Sequence, residues 1–158
     1  MHVESREGEG TTFTMRLPIR SRRAQEPNGT NPTVKTERAL SILVVDDEPM
    51  ILRLVSEYLT DEGHTVEKAR NGKQGLETFR RGTFDLVVTD RAMPEMSGDH
   101  LADAVKAESP TTPVILMTGF GEIMLAKNEK PATVDLVVPK PITIEALRQA
   151  VARVTALA

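Results

Sequence analysis

Short apolar runs recur along the later part of the chain: ILVV at 42–45, LVV at 86–88, VILM at 114–117 and VDLVV at 134–138. They are brief and rich in β-branched residues, without the polar alternation of a half-exposed strand, so they predict strands covered on both faces. A weaker run from His64 to Ala69 predicts an edge strand. Between the runs the period changes. Segment 49–61 opens with Pro49 in its first turn, sets Ile51, Leu52, Val55 and Leu59 on one stripe, and stops at Gly63, which predicts an amphipathic helix. Segments 72–81, 98–108 and 143–156 repeat that pattern, and 120–130, crowded by Gly121 and Pro131, completes a fifth helix. Strand followed by helix five times over predicts an α/β fold. Right-handed crossovers then require a doubly wound parallel sheet with helices on both faces.

Two changes of composition divide the chain. Residues 19–38, "IRSRRAQEPNGTNPTVKTER", hold two prolines, an Asn-Gly and almost no periodic apolar positions, the pattern of a flexible linker. Residues 1–18 before it, "MHVESREGEGTTFTMRLP", are too few to bury a core of their own and are not expected to fold independently. The folded domain is expected over 39–158.

Charge and composition narrow the function. A formal net charge of −3 gives no electrostatic pull toward nucleic acid. The absence of cysteine excludes disulfides and thiolate metal sites and suits a reducing, cytoplasmic setting. No apolar run is long enough to span a bilayer, so no membrane contact is expected of this piece.

In an open parallel sheet the carboxyl ends of the strands converge on one edge, where ligands sit. Asp46 and Asp47 close the first strand and Asp90 the third. Three carboxylates gathered at ~4–6 Å disfavour their own ionisation unless a cation joins them. Oxygen ligands alone, in a cleft with room for water and a phosphate, suit Mg²⁺. The fourth strand ends in Thr118-Gly119, a hydroxyl beside a residue with no side chain to block an incoming group, and the fifth ends in Lys140 within "PKP". Carboxylate, divalent cation, hydroxyl and ammonium around one cavity form a phosphoryl-transfer constellation with a carboxylate nucleophile. No GxxxxGK[ST] or kinase glycine loop is present, so the phosphoryl group comes from a separate donor. Taken singly, each group has a plainer reading: Asp46-Asp47-Glu48 as acids at a helix start, Asp90 as a turn residue, Lys140 as a solvated loop lysine. His2, His64 and His100 have no ligand spacing, and Met93, Met96, Met117 and Met124 read as packing and loop contacts.

The runs "ILVVDDEP", "DLVVTDRAMPEMSG", "VILMTG" and "VVPKP", in that order, resemble the receiver domain of two-component response regulators from Leu40 to Ala158. The resemblance implies a flavodoxin-like five-stranded sheet in the order 2-1-3-4-5 with five helices. It implies that Asp90 is the phosphoacceptor and that Mg²⁺ is held by Asp47, Asp90 and the carbonyl of Ala92, with Asp46 acting largely through water. Thr118 becomes the switch hydroxyl and Lys140 the counter-charge of the phosphoryl group. The implied partner is a histidine kinase or a histidine phosphotransfer domain. Residues 3–18, "VESREGEGTTFTMRLP", are similar to the final strands of the histidine-kinase ATP-binding domain. Followed by a linker and a receiver, they imply the C-terminal piece of a hybrid histidine kinase, with no nucleotide bound by the remnant itself.

Departures from the receiver pattern matter too. Val137 stands where the family usually has an aromatic residue, which puts the coupled threonine–aromatic switch in doubt. The "KNEKPAT" stretch replaces the usual small-residue segment, so no dimer is expected through it and a monomer is favoured. Ala92 and Phe120 stand where polar residues commonly hold the hydrolytic water, which predicts slow self-dephosphorylation. The expected activity is self-catalysed phosphotransfer without turnover. Two other classes stay open: an aspartyl-nucleophile phosphohydrolase, against which Ala92 counts because it replaces that class's acid–base aspartate, and a degenerate receiver that only binds protein.

Overall fold

The computed structural model describes residues 2–6, 10–14, 38–119 and 130–156. The chain divides into two units, Met1–Thr33 and Val34–Ala158. In the first, β1 (His2–Arg6) pairs antiparallel with β2 (Gly10–Thr14), Val3 standing opposite Phe13. The linker expected over 19–38 lies, Arg38 apart, outside the described residues.

The second unit carries the parallel sheet. Its strands are β3 (Ser41–Val45), β4 (Thr65–Ala69), β5 (Leu86–Asp90), β6 (Val114–Thr118) and β7 (Leu136–Pro139). They lie in the order β4-β3-β5-β6-β7, each pair parallel, which is 2-1-3-4-5 counted within this sheet. The weak run at 65–69 is an edge strand, as its composition predicts, and β7 lies at the other edge. Among the described residues, three helices connect strands, α1 (Pro49–Asp61), α2 (Gly72–Arg81) and α3 (Gly98–Glu108), and a fourth, α4 (Ile144–Thr155), follows the last strand. The fifth expected helix, at 120–130, falls almost wholly outside the described residues, as do Phe120 and Met124.

The continuous apolar runs are explained by two cores, one on each face of the sheet. Ile42, Val44, Leu86 and Val88 meet α1 and α4 through Leu52, Val55, Leu59 and Leu147. Leu43, Val45, Val87 and Leu116 point the other way, toward α3 through Leu101 and Val105. Alternate residues of one strand thus serve opposite layers, and none of them can be polar without cost.

Local signals fix where each helix begins and so where each strand must stop. Asn71 Oδ1 accepts from Gln74 N at 2.8 Å, while Gln74 Oε1 accepts from Arg70 N at 2.8 Å, a reciprocal cap on α2. Ser97 and Thr143 cap α3 and α4 with their hydroxyls alone, accepting from His100 N and Ala146 N. Gly63 takes φ +93° after α1, a conformation that favours glycine. At the start of the sheet, Asp85 Oδ2 accepts from Ser41 N at 2.9 Å and Oδ1 pairs with Arg38.

Candidate functional site

The carboxyl ends of β3, β5, β6 and β7 open into one cleft of about 910 Å³, lined by Asp46, Asp47, Glu48, Pro49, Asp90, Arg91, Ala92, Ser97, Asp99, Thr118, Gly119 and Lys140. Every residue singled out from the sequence as chemically active therefore faces the same space. The parallel sheet is what brings them together, because residues as distant in sequence as 46 and 140 follow strands whose carboxyl ends lie along one edge of the sheet, with β5 and β6 between them.

Lys140 is the hub. Its Nζ lies 2.7 Å from Asp90 Oδ1 and 3.2 Å from Asp46 Oδ2, so these two carboxylates are no more than about 6 Å apart. Asp46 is wholly buried and Asp90 nearly so. The remaining oxygens are also used: Asp46 Oδ1 accepts from Glu48 N at 2.8 Å, and Asp90 Oδ2 from Ala92 N at 2.7 Å. Backbone bonds hold the strand ends in place, with Lys140 N donating to Thr118 O at 2.8 Å and Arg91 N to Met117 O at 2.9 Å. The peptide between Lys140 and Pro141 is cis.

The electrostatics follow from burial. Loss of solvation pushes the Asp46 carboxyl above the usual carboxylate range, and the Glu48 N–H and the Lys140 ammonium only partly offset it. Burial by itself would lower Lys140, but the hydrogen bond to Asp90 and the nearby charge of Asp46 outweigh it and hold the ammonium above its ordinary value.

The acids at the start of α1 do not serve the plainer role of capping it. Glu48 occupies the N-cap without a side-chain cap bond, and the first turn holds no acid. Asp47 is exposed and opens onto the cleft. Among the described residues no three Asp, Glu, His or Cys side chains form a ready-made metal cage. The donor set still fits a hard cation. It is all oxygen, supplied by carboxylates, and sits in an open cleft with room for waters around a small ion, which suits Mg²⁺.

Sequence reasoning missed Arg91, Ser97 and Asp99 on the cleft wall. Arg91 Nε donates to Asp99 Oδ2 at 2.9 Å. Strand alternation would turn Arg91 away from the side taken by Asp90, and an aspartate in a first helical turn reads as a dipole partner. Val137 is buried in the layer with Leu43 and Val45. It has no ring to swing between core and surface. His64 and His100 keep structural posts: His64 Nδ1 accepts from Leu40 N at 3.3 Å, and His100 N donates to the Ser97 cap at 3.3 Å.

Residues 42–152 match the sequence profile described as the response regulator receiver domain. The chain belongs to that family. This receiver is 37% identical over 110 residues to the transcriptional regulatory protein GlrR of Escherichia coli K12, a match covering 70% of the chain and 25% of GlrR. It is 32% identical over 162 residues to the sensor histidine kinase AtsR of Burkholderia thailandensis, covering 96% of the chain and 27% of AtsR. The chain therefore spans about a quarter of the length of these relatives. Among solved structures, the response regulator TrrA of Thermotoga maritima, crystallised with Mg²⁺-BeF, superposes with a TM-score of 0.65 at 32% identity, covering 72% of this chain and 97% of TrrA. As a receiver, the domain belongs to two-component signal transduction, whose receivers work with histidine kinases or phosphotransfer domains and are in general Mg²⁺-dependent. No helix among the described residues is long and apolar enough to cross a membrane.

Proposed function

We propose that Asp90 takes a phosphoryl group from a phosphohistidine, with Lys140 and Thr118 as its attendants and Asp46, Asp47, Asp90 and the Ala92 carbonyl as the Mg²⁺ ligands. The supporting observation is the single ammonium shared by Asp90 and Asp46 in an acid-lined cleft. Asp90 is the carboxylate that both faces the cleft and bonds that ammonium at short range, so it is the nucleophile. One carboxylate oxygen attacks phosphorus as the P–N bond to the donor imidazole breaks. Lys140 then follows the charge onto the new acyl phosphate. Mg²⁺, when bound, neutralises charge on the transferring group. Thr118, almost fully buried at the end of β6, offers its hydroxyl to a phosphoryl oxygen.

The phosphoryl group on Asp90 is proposed to be long-lived, since Ala92 on the cleft wall cannot hold a water. The same alanine disfavours a phosphohydrolase. Met50 and Leu54 on α1 and Ile144 on α4 are exposed large apolar residues on helices that begin at the cleft, which suits the docking of a protein donor. The chain is read as the C-terminal piece of a hybrid histidine kinase: 1–18 the end of the ATP-binding domain, 19–38 a linker, 39–158 the receiver. The AtsR match supports this, because an alignment over 96% of the chain extends well beyond the receiver into the segment before it. A cytoplasmic, monomeric receiver that does not touch nucleic acid completes the reading.

Incubation with Mg²⁺ and acetyl phosphate, followed by mass spectrometry, tests it. A stable adduct on Asp90 is expected. Continuous phosphate release would indicate a hydrolase, and no reaction a protein-binding module.

A further inference from the structure

We propose that the small hollow at the pole opposite the cleft binds a free phosphate, inorganic or as the monoester of a small molecule, between Arg153, Lys130 and Thr111. The hollow measures about 240 Å³ and lies at the amino ends of β6 and β7, beside the last turns of α3 and α4. Three cations line it, Lys106, Lys130 and Arg153, against one carboxylate, Asp135. The chain as a whole carries a formal charge of −3, so this excess is local and of the opposite sign. The hollow shares no residue with the acceptor cleft, so its test needs no phosphotransfer.

The carboxylate is already engaged. Asp135 Oδ2 accepts from Val114 N at 2.7 Å and pairs with Lys106 Nζ at 2.8 Å. Lys106 also donates to Pro110 O at 3.3 Å. That pair is neutral, which leaves the charges of Lys130 and Arg153 unanswered. Lys130 Nζ donates to Val134 O and Asp135 O, uncharged acceptors that hold the ammonium in place without cancelling it. An ammonium has three N–H donors, so two carbonyls leave one over. The turn it grips is itself tied down, Val134 N donating to Pro131 O at 3.1 Å and Thr133 Oγ1 to Asp103 Oδ1 at 2.7 Å. Arg153 is exposed and makes no hydrogen bond or ion pair among the described residues.

Cations in a last helical turn have a plainer use, answering the negative end of the helix dipole. That accounts for Lys106 in α3 and Arg153 in α4. It does not account for Lys130, which lies outside any helix yet lines the same hollow. Two surplus positive charges match a phosphate group at about −1.5 to −2 and exceed the single charge of a carboxylate. The guanidinium offers a fork to two oxygens, Lys130 an N–H, and exposed Thr111 on the wall a hydroxyl. The volume is smaller than the roughly 300–1,000 Å³ of pockets for drug-sized ligands, which limits the occupant to a small one.

The test titrates the full chain with inorganic phosphate, glycerol 3-phosphate and acetate in turn, without Mg²⁺ and at fixed ionic strength, following backbone amides by NMR. Phosphate or its monoester should shift the amides of Thr111, Lys130 and Leu136 to saturation in the millimolar range, while those of Asp47 and Gly119 at the cleft stay in place. The tighter of the two names the source. Acetate should bind about tenfold more weakly, having one charge for the two cations. Arg153→Gln and Lys130→Gln, whose own spectra report folding, should each weaken phosphate binding about tenfold. Shifts that do not saturate, or that appear at the cleft alone, overturn the proposal. So does a phosphate affinity unchanged in either variant, or an acetate affinity equal to that of phosphate.

Discussion

Gly98 lies beneath Asp90 so closely that a Cβ built on it would stand 2.1 Å from the Asp90 carbonyl oxygen and 2.9 Å from Leu116 Cδ1. The first turn of α3 can approach the end of β5 only because residue 98 has no side chain. Backbone cannot yield as a flexible side chain can, so Gly98→Ala should cost about 2–3 kcal/mol. Urea denaturation of the two proteins measures this, and a change within experimental error would show that the contact is softer than its geometry implies.

Lys140 holds Asp46 in its charged form against burial. In Lys140→Met the Asp46 pKa, already above 3.8, loses a lowering influence and rises further. The native state then holds a proton that the unfolded state has released, so stability falls as pH rises through that pKa. The variant should be about 1–3 kcal/mol less stable than wild type at pH 7, with the deficit shrinking toward pH 4. Denaturation curves at both values decide it.

Exposed Asp47 contributes to the cleft and to no described hydrogen bond or ion pair. Millimolar Mg²⁺ should raise the melting temperature of wild type, and a chelator should reverse the rise. Asp47→Ala should melt like wild type without the metal and lose most of the increment with it. An increment that survives in Asp47→Ala would remove that carboxylate from the proposed ligand set.

Ala92 offers no hydrogen bond to a water attacking the phosphoryl group. Ala92→Asn should therefore shorten the half-life of phosphorylated Asp90, followed by the decay of the adduct after donor removal. A longer half-life would contradict the explanation given for slow hydrolysis.

His64 is buried and accepts the Leu40 N–H, and burial lowers its pKa below the ordinary 6.5 despite the opposing pull of Glu62. The unfolded chain takes up the proton first on acidification. The stabilising contribution is complete above about pH 6.5 and declines as pH falls below it. His64→Asn, which keeps an acceptor but does not titrate, should lose less stability than wild type between pH 7.5 and 5.5. Parallel slopes would show that His64 adjusts without cost.

Much of this fold could be read from alternating runs and helical stripes, because a sheet buried on both faces leaves little freedom at positions such as Ile42, Leu43, Leu86 and Val87. The strand ends were legible for the same reason: a charged residue directly after such a run has only the sheet edge to occupy. What escaped notice depends on contacts between elements. The last strand begins at Leu136 and not at 134, because Val134 N closes a turn on Pro131 O and Asp135 Oδ2 accepts from Val114 N at 2.7 Å. Arg91 and Asp99 escaped because their pairing joins a strand end to a helix start, which no single period encodes.

The strands of this sheet run toward Asp90, so Ser41, with Arg38 and Asp85 clasped beside it, sits at the opposite pole. Helix α4 starts just past Lys140 and finishes with Arg153 and Val154 around a small hollow shared with Pro113 and Leu136. Both ends of the domain consequently leave from the pole that does no chemistry. Such a unit can be hung from a tether on either side, or spliced between unrelated neighbours, while its reactive pole stays turned outward to whatever protein brings the phosphate.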